Sequence, residues 1–129
     1  MVIDTSALLA ILQDEPERAS FIDAIDNAER RCLSAASLVE VSIVIEARYG
    51  EGGVRDLDRF LERAAVEIEP LTAAQVRAAR LAWSRFGKGR HRAALNLGDC
   101  FAYALAKARA EPLLYKGGDF ALTDVSAAL

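Results

Sequence analysis

At 129 residues, with 53% apolar and 27% charged side chains, the chain has material for one ordinary core and no disordered signature. Its net charge of −3 and pI near 5.2 argue against a uniformly basic polyanion binder, and its single histidine, His91, excludes any mechanism needing a histidine pair. No apolar run is long enough to span a bilayer and no basic region precedes the first apolar stretch, so we expect a cytoplasmic protein with no membrane partner.

Residues 1–4 carry β-branched Val2 and Ile3 into Thr5-Ser6, a short buried strand with a helix start behind it, and residues 7–12 read as a short helix. Asp14-Glu15-Pro16 offers an acidic cap and a first-turn proline to a second helix, with Phe21, Ile22, Ile25 and Ala28 on one face. Residues 31–34 form a second strand. Residues 37–49 alternate like a strand at Val39, Val41, Ile43 and Ile45, but the run is long and ends at Gly50, and we read it as helix. Residues 55–65 repeat Leu57, Phe60, Leu61 and Ala64 at helical spacing, and residues 66–71 hold a short strand around Ile68.

Thr72 and Gln75 make a capping-box pattern ahead of Val76, Ala79, Trp83 and Phe86, the expected core face of the next helix. Residues 87–98 form a basic loop. Residues 99–110 are helical, with Lys107 and Arg109 near the negative end of the dipole. Residues 113–115 are the last clear strand, and residues 124–126 add an edge strand. Short strands alternating with helices imply one α/β domain over 1–129, a central parallel sheet of four or five strands flanked by helices. Cys32 and Cys100 lie in apolar runs without CxxC spacing, as buried reduced thiols do.

With one histidine, the chemistry rests on carboxylates. Sites in such sheets form at the carboxyl ends of the strands, around the switch in strand order. Asp4 closes the first strand, Glu40 lies just after the second, Asp99 opens a late helix and Asp119 follows the last clear strand. Acids converging there repel one another and must share a proton or a cation, and a hard divalent ion, magnesium or manganese, is the natural partner. Such an ion serves phosphodiester hydrolysis. Each acid also has a plainer role: Asp4 as a helix cap, Ser37 with Glu40 as a capping box, Asp99 as a first-turn residue, Asp119 in a Gly-Asp turn. For Glu40 the plainer role is the weakest, because Leu38, Val39, Val41 and Ile43 around it are apolar and a buried charge needs a partner.

Val-Ile-Asp-Thr-Ser at Asp4, Ser-Leu-Val-Glu at Glu40, Leu-Gly-Asp-Cys at Asp99 and Leu-Leu-Tyr-Lys-Gly-Gly-Asp-Phe at Asp119 together resemble the PIN domain. More narrowly the chain is similar to the VapC toxins of type II toxin–antitoxin pairs, over essentially its whole length. The resemblance implies a magnesium-dependent endoribonuclease, with manganese as a substitute, in which Asp4 and Asp99 are the metal ligands. Glu40 then completes the acidic site and orients the attacking water, and Ser6 supports Asp4 on the substrate side. Asp119 is the candidate fourth acid and Asp124 its competitor, since Lys116 and two glycines stand where many relatives place an acid. An RNA substrate, a cognate antitoxin and a homodimer are implied as partners.

From Val76 to Gly98 there is no acidic residue, while Arg77, Arg80, Arg85, Lys88, Arg90 and Arg92 all fall there. Lys88, Arg90 and Arg92 read as a phosphate-contacting arm beside Asp99, with a solvated polar loop as the alternative. Trp83 and Phe86 read as core. The other nucleotide and phosphate folds fit poorly: the glycines at 50, 52 and 53 are not followed by Gly-Lys-Ser/Thr, Ser6 stands where a haloacid dehalogenase needs a second aspartate, and a receiver's acidic pair is missing. A degenerate PIN-like module that only binds a regulatory protein is the non-enzymatic alternative.

Overall fold

Four short parallel strands decide the layering. In a computed structural model describing residues 1–129, β1 (Val2–Ile3), β2 (Cys32–Ser34), β3 (Glu67–Glu69) and β4 (Leu113–Leu114) lie in the order β3-β2-β1-β4. Successive side chains of a strand point to opposite faces. Val2, Cys32 and Leu113 accordingly enter one core cluster, and Ile3, Leu33 and Leu114 enter the other. Each of those large apolar side chains is fully buried, worth about 1.5–3 kcal/mol apiece, which is how strands of two or three residues persist.

Helices cover both faces. On one side lie α1 (Thr5–Leu12), α2 (Arg18–Asn27) and α3 (Ala35–Arg63); on the other lie α4 (Ala73–Phe86) and α5 (Leu97–Arg109). A 3-10 turn spans Phe120–Leu122. No helix is long and apolar enough to cross a membrane. Both cysteines are free and buried, and burial pushes the Cys100 thiol up to about 11.

Several boundaries differ from expectation for local reasons. The two helices expected on either side of Gly50 are joined across a kink there, at φ 65 and ψ −159. That helix is capped by Ser34, whose hydroxyl accepts from Ala36 N at 3.3 Å, so Ser37 and Glu40 form no capping box. The cap expected from Asp14 is also not made: α2 begins at Arg18 behind Glu17, without a side-chain cap bond. Thr72 caps α4 by accepting from Gln75 N, but the reciprocal bond is missing and Gln75 Oε1 is buried without a partner.

Two expected faces turn out otherwise. α4 buries the narrow stripe Gln75, Ala79, Ala82 and Phe86, leaving Val76 41% and Trp83 39% exposed. Small alanines let α4 approach α5 closely, which pushes the larger side chains to the rim. The edge strand expected at 124–126 reduces to one bridge, Leu113 with Ala127, so the sheet stops at four strands. The basic segment is no open loop either. Gly87 bridges to Leu95, and Ala93 and Leu95 anchor it in the core.

Candidate active site

The sheet order places β1 where the chain reverses direction: β2 and β3 lie to one side of it, β4 to the other. Asp4 is the first residue beyond β1, at that switch point. It caps α1, with Oδ2 accepting from Ser6 N at 3.0 Å and from Ser6 Oγ at 2.6 Å. The capping role expected as an alternative is therefore real. It does not account for the whole group, because both bonds fall on Oδ2 and the residue is only 3% exposed. Burial pushes this carboxyl up to about 6, with the charges of Asp99 and Glu40 adding to the shift and the Ser6 bonds opposing it.

Asp99 stands at the third position of α5, not at its start. Asn96 is the cap: its side chain accepts from Asp99 N and Asp99 Oδ2 accepts from Asn96 N, each at 2.9 Å. The Asn-Leu-Gly-Asp spacing is a capping-box pattern that reads directly from the sequence once Asn is admitted as the cap. This reciprocal pair fixes Asp99 against the helix start. Its carboxyl is raised by burial and, beyond that, by Asp119 and Glu40.

Glu40 reaches the same place from α3. A β-carbon built on Gly98 would fall 1.8 Å from Glu40 Oε2, so the glycine is what lets this carboxylate lie against the start of α5. Glu40 is half-buried, but not through its neighbours as expected: Val39 and Ile43 are 60% and 62% exposed. Asp119 is exposed, preceding the 3-10 turn without making a side-chain cap bond.

Asp124 is differently placed. It accepts from Tyr103 Oη at 2.6 Å and Lys107 Nζ at 3.2 Å and lies 3.7 Å from Arg85, and these partners hold its carboxyl below the usual range. Its charge is already spent in tying the C-terminal segment to α5. Of the two rivals, it is Asp119 whose charge is felt at Asp99.

Asp4, Glu40 and Asp99 are thus within electrostatic reach of one another, Asp119 is within reach of Asp99, and none of the four is ion-paired with a lysine or arginine. Oxygen donors alone, mutually repelling and without a basic partner, fit a hard divalent cation. Elsewhere it is Cys32, Glu67 and Glu69 that bring their donor atoms within 4.8 Å of one another. There Arg30 pairs with Glu67 and Glu69, and Arg109 with Glu69, so positive charge already fills the cluster and would repel an ion.

Lys88, Arg90 and Arg92 are exposed and make no ion pair. His91 has a structural role, with Nδ1 accepting from Ala93 N at 3.0 Å and its ring edge-on to Phe86. Ser6 Oγ is committed to Asp4 and accepts from Lys116 N at 2.9 Å. The sequence reading missed that second contact, and no local pattern announces it across 110 residues.

The PIN domain family model matches residues 1–125. A Ribonuclease VapC of Mycolicibacterium smegmatis is 57% identical over 127 residues, covering 98% of both chains. Ribonuclease VapC30 of Mycobacterium tuberculosis is 54% identical, covering 98% of this chain and 96% of its own. Among solved structures, Mycobacterium tuberculosis VapC20, described as a sarcin-ricin loop cleaving toxin, superposes with a TM-score of 0.76 over 96% of this chain and 95% of its own. A toxin-antitoxin complex from Klebsiella pneumoniae superposes with a TM-score of 0.71 over 95% and 92%. Both are 16% identical and speak to the fold alone.

Proposed function

The chain belongs to the PIN-domain family, in its VapC ribonuclease branch, and from that premise we propose that it is a metal-dependent endoribonuclease toxin of a type II toxin–antitoxin pair. The reading is supported by the mutual influence of Asp4, Glu40 and Asp99, with Asp119 felt at Asp99 and none of them given a basic partner, beside the switch point of the sheet.

Asp4 and Asp99 would hold the ion, each steadied by a local cap: Ser6 orients Asp4, and Asn96 orients Asp99. Magnesium, or manganese in its place, supplies Lewis-acid polarisation of the scissile phosphate when bound. Glu40 orients the attacking water and takes its proton, and its contact with Gly98 sets the carboxylate beside Asp99. Asp119, which follows the Gly117-Gly118 turn and precedes the 3-10 turn, completes the acidic set. The test is RNA cleavage by the purified chain with magnesium or manganese, stopped by EDTA and by the cognate antitoxin. Cleavage that continues in EDTA would overturn the reading.

Lys88, Arg90 and Arg92 contact the RNA backbone. Their support is their exposure and freedom from ion pairs, on a segment anchored by Ala93 and Leu95 and leading into Asn96 and Asp99. Replacing Arg90 and Arg92 with glutamine is expected to weaken RNA binding and reduce its salt slope by about 2, roughly one per lost phosphate contact. An unchanged slope returns them to a solvated surface. Val39, Ile43 and Leu97, exposed beside the acids, suit a protein that covers the site, as an antitoxin does, while the chain pairs with a second copy as a homodimer.

A further inference from the structure

The acidic turn that reads as a helix cap serves another purpose. Glu15 and Glu17 flank Pro16 in the turn between α1 and α2, and both pair with Lys116 Nζ, Glu17 at 3.1 Å. Proline fixes its own φ and restricts the residue before it. Glu15 N donates to Ala10 O and Arg18 N to Glu15 O, each at 2.9 Å, so the turn is stiff on both sides of the proline. Two carboxylates on a stiff turn thus grip one ammonium from the far end of the chain.

Lys116 in turn touches the acidic site through its backbone. Asp4 N donates to Leu114 O at 2.9 Å, holding the end of β4 beside β1. Two residues on, Lys116 N donates to Ser6 Oγ at 2.9 Å, and Ser6 Oγ donates to Asp4 Oδ2 at 2.6 Å. A serine hydroxyl has one hydrogen and two lone pairs. With a lone pair occupied by the Lys116 amide, its hydrogen is directed onto Asp4. Beyond Lys116 come Gly117, at φ 99, and Gly118, which stiffen nothing. Up to Tyr115 the backbone is held by the β4 pairing and by the packing of Tyr115 on Phe120; at Lys116 the side-chain grip adds to that hold.

We propose that Lys116, clamped by Glu15 and Glu17, is a positioning residue for Asp4, acting through Ser6. The proposal rests on the reading of Asp4 as a metal ligand. The three charged side chains are each about a third exposed, and exposed pairs add little to stability. The clamp therefore sets geometry more than it holds the fold together. Its ammonium faces Glu15 and Glu17, so the lysine reaches the acidic site as a backbone donor and not as a competing cation.

The test is direct manganese binding, by calorimetry or by loss of the free-ion electron paramagnetic resonance signal, without RNA. Ser6→Ala is expected to weaken manganese binding on the order of tenfold, and Lys116→Met and the pair Glu15→Gln/Glu17→Gln each roughly fivefold, the range seen when groups that orient a ligand are removed. Lys116→Arg, which keeps the clamp, binds as the wild type does. In the Ser6→Ala background Lys116→Met adds no further loss, because the two act along one path. Wild-type affinity in Lys116→Met, or the same loss with and without Ser6, overturns the proposal. Asp4→Asn separates the two failures: if it still binds manganese, the metal reading falls as well; if it does not while Lys116→Met is unaffected, only the clamp falls.

Discussion

Asp4→Asn and Asp99→Asn are each expected to lower RNA cleavage by about three orders of magnitude or more, while the protein stays folded. The size follows from the work assigned to the ion: stabilising developing charge on a phosphate is worth several kcal/mol, and each 1.36 kcal/mol is a factor of about ten in rate. Asparagine retains an oxygen in the same place, so Asp4→Asn still accepts from Ser6 N and still caps α1. At Asp99 the backbone N–H of Asn96 likewise keeps an acceptor. What each substitution removes is the negative charge. Asp124→Asn is the matching control. That residue is occupied with Tyr103 and Lys107 and has no place in the acidic set, so its variant is expected to keep its cleavage rate wherever it remains folded. Undiminished cleavage by Asp99→Asn would show that the reaction does not run through this pocket.

Much of the architecture reads directly from the chain. Val2/Ile3 and Cys32/Leu33 are short apolar runs followed by helix starts, Leu113/Leu114 is another such run behind a helix, and that alternation leaves few arrangements besides a covered parallel sheet. Faces were less legible than elements. Val39 and Ile43 look buried by composition, but the core face of α3 is Ser37, Val41 and Ile45, and the two apolar residues on its other side face outward. Trp83 misleads in the same way, because the close approach of α4 to α5 runs through Ala79 and Ala82. Sequence spacing supplies a helical period, not which of two apolar stripes meets a neighbour.

The site divides similarly. Asp4, Glu40 and Asp119 could be placed after strands and Asp99 at a helix start, but their convergence depends on β4 returning to the far side of β1, which no local signal encodes. The ordered motifs of a known family carried that step. Choosing between Asp119 and Asp124 needed Tyr103 and Lys107, helix residues that look unremarkable until the C-terminal segment folds over them. The clamp on Ser6 is the extreme case, joining residues 15 and 17 to residue 116 from the other end of the chain. Here the local pattern pointed to a cap, and tertiary pairing won.

The same charge that serves chemistry strains the metal-free fold, and the strain is measurable. In the folded chain burial pushes Asp4 from its ordinary 3.8 to about 6. Between those two values the folded state holds a proton that the unfolded state has released, so stability falls as pH rises through the window and does not recover above it. The loss is on the order of 3 kcal/mol at neutral pH. Asp99 shifts in the same direction and adds to it. Asp4→Asn abolishes this cost, so in EDTA at pH 7.5 the inactive variant is expected to melt several degrees above the wild type. At pH 4 the difference closes, because the wild-type carboxyl is then protonated in the folded state. Manganese reverses the order at neutral pH: it binds the wild-type site and raises its melting temperature, and finds no such site in Asp4→Asn. If the variant melts below the wild type in EDTA at pH 7.5, the bonds from Ser6 outweigh burial, and Asp4 is a structural cap before it is anything else.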